Sequence, residues 1–79
     1  MTPYVLFTDG HIEPINQYID HTDYVKVFTT SGAYLYQPTI VEHPTSKILY
    51  QEHNFYREVA PHEWVIDKSI EAFYFKKEN

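Results

Sequence analysis

Histidine is the residue type in this chain that is best suited to chemistry, because it titrates near neutral pH and binds metal ions. Five histidines are spread along the sequence: His11, His21, His43, His53 and His62. None of them forms an HxH, HxxxH or HExxH cluster, the spacings that present two ligands to one metal ion. A site assembled from more distant residues is the alternative, for example His21 with Asp20 and Asp23. We expect neither a metal site nor another cofactor.

Nucleophiles for covalent catalysis are also poorly represented. The chain has no cysteine, and its serines Ser31, Ser46 and Ser69 fall in turn-forming segments without a GxSxG context. A carboxylate pair such as Glu52 and Glu58 could serve as acid and base. With 11 acidic residues in 79, however, such pairs arise by chance, and so short a chain builds a substrate pocket only with difficulty. We expect that the protein is not an enzyme.

Aromatic side chains are the remaining resource, with 8 Tyr and 5 Phe. Lys26 between Tyr24 and Phe28 is the local pattern closest to a surface that stacks nucleic-acid bases. The net charge of −5 argues against this use, since residues 1–25 carry four acids and no Lys or Arg, whereas phosphate binding requires positive charge. Both glycines are isolated, so no phosphate-binding loop is present. Nucleic acid is therefore not the expected partner.

Binding of another protein fits the composition better. There are more tyrosines than a core of this size can hide, and Tyr is favoured at interfaces. Acidic surroundings favour a partner with a basic surface. The candidate contact residues are Tyr24, Lys26, Phe28, Tyr34 and Tyr36. Because side chains alternate along a strand, the first three share one face and the two later tyrosines share the other, so only one set is free if the other is core.

The segments that carry these residues form a β-meander. Tyr24–Thr30 has the alternating pattern of a strand, Ser31-Gly32 forms a turn, and Ala33–Gln37 runs back as the next strand. A second reversal at His43–Ser46 leads into Lys47–Gln51. β-Branched and aromatic residues at period two, broken by turn residues, predict three consecutive antiparallel strands.

The turn lengths predict the register. A two-residue loop at Ser31-Gly32 places Phe28 opposite Leu35, and the second reversal places Glu42 opposite Lys47 as a cross-strand ion pair. Both faces of the first hairpin are partly apolar, which indicates a sheet that curls so that both faces meet something. Pro38 is expected at an edge, a bend or a bulge of this sheet.

On the N-terminal side, Asp9-Gly10 predicts a hairpin between Tyr4–Thr8 and His11–Glu13. One irregular or helical turn is expected over Pro14–Ile19, since Ile15, Tyr18 and Ile19 keep helical spacing.

On the C-terminal side, Phe55–Val59 is a predicted strand that Ala60–Glu63 interrupts. A short extended piece at Val65-Ile66, a single turn at Asp67–Ser69 and a closing strand at Ile70–Phe75 are expected to follow. A helix over Pro61–Ile70 is the alternative, because Ile66, Ile70 and Phe73 also keep helical spacing.

Residues 1–79 are thus predicted to form one all-β domain, with at most one short helix, built as a strongly bent antiparallel sheet or a small barrel. The strand rhythm of Val25–Phe75 is similar to that of Sm-like and SH3-like barrels, in which a bent meander is followed by a single turn and a closing strand. Sm proteins carry an Asp and an Asn in the loop after their second and third strands, and they also have a glycine-rich loop. Neither feature has a counterpart in this sequence. The resemblance implies an alternative function, an oligomeric binder of single-stranded RNA.

Location and function complete the expectations. No apolar run approaches the roughly 20 residues of a membrane span, the N-terminus does not resemble a signal peptide, and a chain without cysteine suits the cytoplasm. Its size and acidity resemble those of phage- or mobile-element-encoded modulators that occupy a host enzyme's nucleic-acid site. We expect a non-enzymatic protein-interaction module. The further alternative is a self-assembling structural subunit whose aromatic faces are buried in a homo-oligomer.

Overall fold

A computed structural model describes residues 2–75 of the protein, and every regular element in that range is a β-strand. The strands are β1 (Tyr4–Phe7), β2 (Ile12–Pro14), β3 (Gln17–Asp20), β4 (Val25–Thr29), β5 (Gly32–Glu42), β6 (Leu49–Ala60), β7 (Glu63–Ile66) and β8 (Ile70–Tyr74). The predicted all-β class is therefore confirmed. In residues 2–75, no helix exists that is long and apolar enough to span a bilayer.

The strands form two antiparallel sheets that do not close into a barrel. The small sheet has the order β2-β1-β8, and the large sheet has the order β3-β4-β5-β6-β7. The chain passes from one sheet to the other between two consecutive residues, Ile15 and Asn16. The Ile15 N–H donates to the Pro3 carbonyl at 2.8 Å, and the Asn16 N–H donates to the Phe28 carbonyl at 2.8 Å.

Both helical alternatives are wrong. Pro14–Ile19 spans the end of β2 and most of β3, and Pro61–Ile70 spans a turn, β7 and the start of β8. The helical spacing at Ile15, Tyr18 and Ile19 did not mark one buried face, because Ile15 is buried whereas the other two side chains are exposed. Hydrogen bonding to strand β4 decides the conformation of this segment instead.

The predicted hairpin of Tyr4–Thr8 with His11–Glu13 is confirmed by the pairing of β1 with β2. Gly10 occupies the positive-φ position of its turn, with φ 94°. The Asp9 carboxylate accepts a hydrogen bond from the His11 N–H at 3.0 Å. This backbone hydrogen bond, together with the His11 side chain, lowers the pKa of Asp9.

The register of the β4–β5 hairpin differs from the prediction by two positions. Phe28 lies opposite Ala33 instead of Leu35, so Thr30 and Ser31 form the turn. The turn closes one residue early because the Thr29 hydroxyl accepts a hydrogen bond from the Ser31 N–H at 3.1 Å. A shift of two leaves every side chain on its predicted face, so the predicted division into two faces is confirmed.

The β5–β6 register also differs by two, and here the predicted ion pair is lost. Glu42 lies opposite Leu49 rather than Lys47. Residues 43–48 form the loop, in which Lys47 takes a left-handed conformation (φ 61°) and its N–H donates to the His43 carbonyl at 3.0 Å. The His43 ring accepts the Thr45 and Ser46 N–H groups, both at 3.2 Å, which stabilises the wider turn.

Strands β5 and β6 are longer than predicted and leave the body of the protein as a ribbon. Only Gly32–Tyr36 of β5 pairs with β4, and only Tyr56–Ala60 of β6 pairs with β7. We call the two-stranded segment 38–53 the arm. Pro38 lies at its root, where β5 has become an edge strand, as expected for a residue without an N–H. The radius of gyration is 14.1 Å, against about 11.6 Å for a compact chain of this length.

The C-terminal elements follow the prediction closely. The break at Ala60–Glu63 is a turn containing His62 with φ 64°. Strand β7 then leads through the turn at Asp67–Ser69 into β8, which pairs with β1. This turn is fixed by the Asp67 carboxylate, which accepts the Ser69 N–H at 2.9 Å. The predicted closing strand is confirmed.

The core lies between the two sheets. It is one cluster of buried side chains, with Val25, Phe55 and Phe73 packed against it: Val5, Phe7, Ile15, Val27, Tyr34 and Ile70. The face of the large sheet that carries Val27 and Tyr34 is thus the inner face. The other face, which carries Lys26 and Phe28, turns away from the small sheet.

Val27→Ala is expected to destabilise the fold by about 2 kcal/mol, because it removes two methyl groups from a fully buried side chain and leaves a cavity. Val65→Ala is the matched control, since Val65 is 40% exposed and its truncation should cost about 0.5 kcal/mol or less. Urea unfolding measures both. Equal losses in the two variants would contradict the position of the core.

Candidate protein-binding face

The outer face of the large sheet, the one turned away from the small sheet, brings together three of the five predicted contact residues. Lys26 and Phe28 lie on β4, and Tyr24 directly precedes that strand. All three are half-buried. Leu35 lies directly opposite Lys26 on β5, and its side chain forms the apolar floor between the longer side chains.

A depression of about 170 Å³ opens on this face, which we call the aromatic cleft. It is lined by Tyr24, Lys26, Leu35, Gln37 and Trp64. Its walls are therefore aromatic rings and aliphatic carbon, with an amide and an ammonium group as the polar atoms. This mixture of large rigid rings and a few polar tips is typical of binding surfaces.

The ammonium group of Lys26 is held by aromatic rings. Its Nζ lies 5.2 Å from the centre of the Phe28 ring and 5.3 Å from the centre of the Trp64 ring. Both distances fall within the range of cation–π attraction. None of the ion pairs within residues 2–75 involves Lys26. Lys26 thus orders the rings on either side of it without a carboxylate.

Trp64 is the part of the cleft that sequence reasoning missed. It lies on β7, three strands from β4, or about 14 Å at the usual strand spacing. Trp64 reaches Lys26 because the side chains of both lie over Leu35 on a sheet that coils. The alternation of side chains along the strands could have located it. Trp64 lies opposite Glu58 in β6, which places it on the same face as Lys26.

Tyr34 lies in the core and not on an accessible surface, with 5% exposure. Its hydroxyl donates to Glu13 Oε1 at 3.1 Å, and the Thr29 hydroxyl donates to the same oxygen at 2.8 Å. Burial, and then the neighbouring Glu13 carboxylate, raise the pKa of Tyr34 to about 12. This tyrosine ties the small sheet to the large one.

Tyr36 also lies on the inner face but remains half-buried at the edge of the core. Its hydroxyl is hydrogen-bonded to Nδ1 of His53, and its ring lies 5.2 Å from that of Phe55. The five predicted contact residues are thus divided, with Tyr24, Lys26 and Phe28 on the outer face and both later tyrosines on the inner one.

The histidines are separate from one another. His11 stacks on Phe7 at 4.1 Å, and His21 stacks on Tyr24 at 4.7 Å between ring centres. Within the part of the chain that the structure describes, no three His, Asp or Glu side chains converge as metal ligands would. His43 and His62 serve turns, as described above.

Negative charge dominates the exposed surface. Six acidic side chains within residues 2–75 are exposed: Asp9, Asp20, Asp23, Glu42, Glu63 and Glu71. Glu58 of β6 lies opposite Trp64 and shares its face, and Asp23 directly precedes Tyr24 in the chain. The exposed Arg57 is paired with Asp67 at 3.4 Å.

Comparison of the chain with protein-family models, with curated proteins and with solved structures found no match. The aromatic cleft and the charge around it are therefore the basis for assigning a function.

Stability is expected to fall between about pH 10 and 12 through Tyr34. The unfolded chain loses this phenolic proton near pH 10, whereas the folded chain holds it until about pH 12. In that window the unfolded state binds fewer protons, so the free energy of unfolding decreases as pH rises, and below it the contribution is constant.

Urea unfolding across this range, compared between the wild type and Tyr34→Phe, isolates the effect from the other tyrosines. The variant should be less stable by about 1 kcal/mol at neutral pH, because Glu13 loses a hydrogen bond, and should show a shallower alkaline decline. Parallel declines in the two proteins would contradict the buried Tyr34–Glu13 contact.

Proposed function

We propose that the chain is a small acidic, non-enzymatic protein-interaction module, and that its outer face binds a protein with a basic surface. The observation that supports the proposal is the aromatic cleft, a set of ordered rings on a sheet face that no other part of residues 2–75 covers. The sequence-predicted residues Tyr24 and Lys26 line it together with Trp64, and the predicted Phe28 packs against the Lys26 ammonium group.

The residue types of the cleft are suited to binding a partner rather than to catalysis. Trp and Tyr are the side chains that most often dominate protein interfaces, because they bury a large area with few rotatable bonds. Lys26 already holds the rings of Phe28 and Trp64 in place. Less ordering is therefore required on binding, which preserves affinity.

The surrounding charge selects the partner. Glu58 lies opposite Trp64 on the outer face, and the exposed Asp23 is the chain neighbour of Tyr24. An arginine of a partner could stack on these rings while its guanidinium pairs with an adjacent carboxylate. The net charge of −5 adds long-range attraction to a basic surface.

A basic groove that normally holds nucleic acid is the type of surface that meets these requirements. The proposal therefore includes the role suggested by size and acidity, that of a phage- or mobile-element-type modulator which occupies such a groove in the cytoplasm of its host. The same rings could instead stack bases, as the likeness to Sm-like barrels implies. The net charge of −5 disfavours that use.

A tagged pull-down from lysate of the source cell, with and without nuclease, tests the proposal. We expect a stoichiometric protein that is retained after nuclease treatment and lost with the double variant Tyr24→Ser/Trp64→Ser. The matched control is Ile12→Ser, an exposed apolar residue on the small sheet. Thermal unfolding of each variant verifies that it is folded.

Two outcomes would overturn the proposal. One is a protein that the double variant still retains, since the cleft would not then be the contact. The other is nucleic acid that is recovered only when nuclease is omitted, which would favour the RNA-binding alternative.

Trp64 offers a direct spectroscopic prediction, because it is the only tryptophan of the chain. On addition of the purified partner, its emission should shift to the blue and its quenching by acrylamide should fall, as binding removes water from the cleft. Raising the salt concentration should weaken the association, since the attraction between this acidic chain and a basic surface is screened. Unchanged Trp64 emission at saturation would place the contact elsewhere.

A further inference from the structure

The underside of the arm continues the inner face of the large sheet and carries Pro38, Ile40, Glu42, Leu49, Gln51 and His53. Ile40 and Leu49 point to this side and are 63% and 67% exposed. Ile48, in the loop at the tip, is 65% exposed. Isolated two-stranded ribbons are marginally stable in water, so large apolar side chains on such a ribbon are costly unless something covers them.

At the root of the arm, on the same side, lies an apolar recess of about 210 Å³ between the two sheets. It is lined by Val25, Tyr36, Phe55, Ala72, Phe73 and Phe75. No charged side chain contributes to this inner recess. Its volume is several times the roughly 30 Å³ share of one water molecule, so it can accept aliphatic side chains.

The total surface is larger than that of a compact monomer. The accessible area is 5895 Å², whereas a folded monomer of 9.5 kDa should expose about 5,000 Å². The excess of roughly 800–900 Å² is close to the share that one partner buries in a standard interface. The exposed Ile40, Ile48 and Leu49 of the arm contribute to this surface.

We propose that two copies of this chain associate through a two-fold axis, so that Ile40 and Leu49 of one arm enter the inner recess of the other. A two-fold contact is self-complementary, and the chain carries both the projecting arm and the recess on the same side. From Tyr36 to Glu42 the arm extends about 20 Å. The tip of one arm therefore reaches the root of an antiparallel partner arm.

The charge distribution favours a second copy over a different protein. Copies with a net charge of −5 repel each other, but within the arm the underside carries one charged residue, Glu42, which lies opposite Leu49, and no charged side chain lines the recess. Two acidic chains can thus meet through nearly uncharged surfaces. The contact is independent of the proposed function, since it uses the inner face and leaves the aromatic cleft exposed.

Sedimentation velocity over a range of concentrations is the first test. The wild type should approach twice the chain mass of 9.5 kDa. Ile40→Lys/Leu49→Lys should weaken the dimer by about 100-fold or more while remaining folded, because both positions are exposed. Ile12→Lys, an exposed apolar residue outside the arm, should dimerise like the wild type.

A monomer at every concentration would overturn the proposal, and so would a dimer that survives the double substitution.

Disulfide capture tests the specific contact in a chain without cysteine. Leu49→Cys/Phe75→Cys should form a covalent dimer on mild oxidation. Within one chain the two positions are separated by the length of the arm, about 20 Å, far beyond the roughly 7 Å that a disulfide can bridge. Leu49→Cys/Ile12→Cys is the control. The arrangement would be overturned if the control pair cross-linked at an equal rate, or if the Leu49→Cys/Phe75→Cys variant formed no covalent dimer.

Discussion

The packing of the large sheet on β1 is the constraint from which the other features of this protein follow. Val5 of the small sheet and Val27 of the large sheet are both fully buried and belong to one cluster. Since the small sheet is only three strands wide, it covers the inner face of the large sheet near that cluster and no further. The outer face is left to carry the aromatic cleft, and the far ends of β5 and β6 extend without support.

Side-chain periodicity was sufficient to predict the fold class and the faces, but not the register. Both hairpins differ by two positions because a side chain closes each turn: the Thr29 hydroxyl in the first and the His43 ring in the second. Turn residues alone do not reveal such bonds. An even shift leaves the faces unchanged, so the predicted set of Tyr24, Lys26 and Phe28 remained together, whereas the Glu42–Lys47 pair did not form.

Long-range contacts decided what the sequence left open. Either face of the β4–β5 hairpin was apolar enough to be core. The choice depended on Glu13, which is distant in the chain and accepts hydrogen bonds from Thr29 and Tyr34. Trp64 reaches the cleft across two intervening strands, a result of sheet coiling that pattern analysis does not contain. The arm was missed because Lys47–Gln51 and Phe55–Val59 were predicted as separate strands, whereas Glu52–Asn54 between them continue the ladder by pairing with Gln37–Thr39.

The central position of β1 in the small sheet also governs when the protein can fold. Its neighbour β8 is the last strand described, so Val5 and Phe73 come together only after nearly the whole chain between them has been made. The β4–β5–β6 meander is local and can form early, yet the small sheet that covers its inner face lacks β8 until then. Such non-local pairing slows folding, and the incompletely covered face is prone to aggregation during synthesis. Closure of β8 on β1 is thus the late step that commits the chain to its native structure.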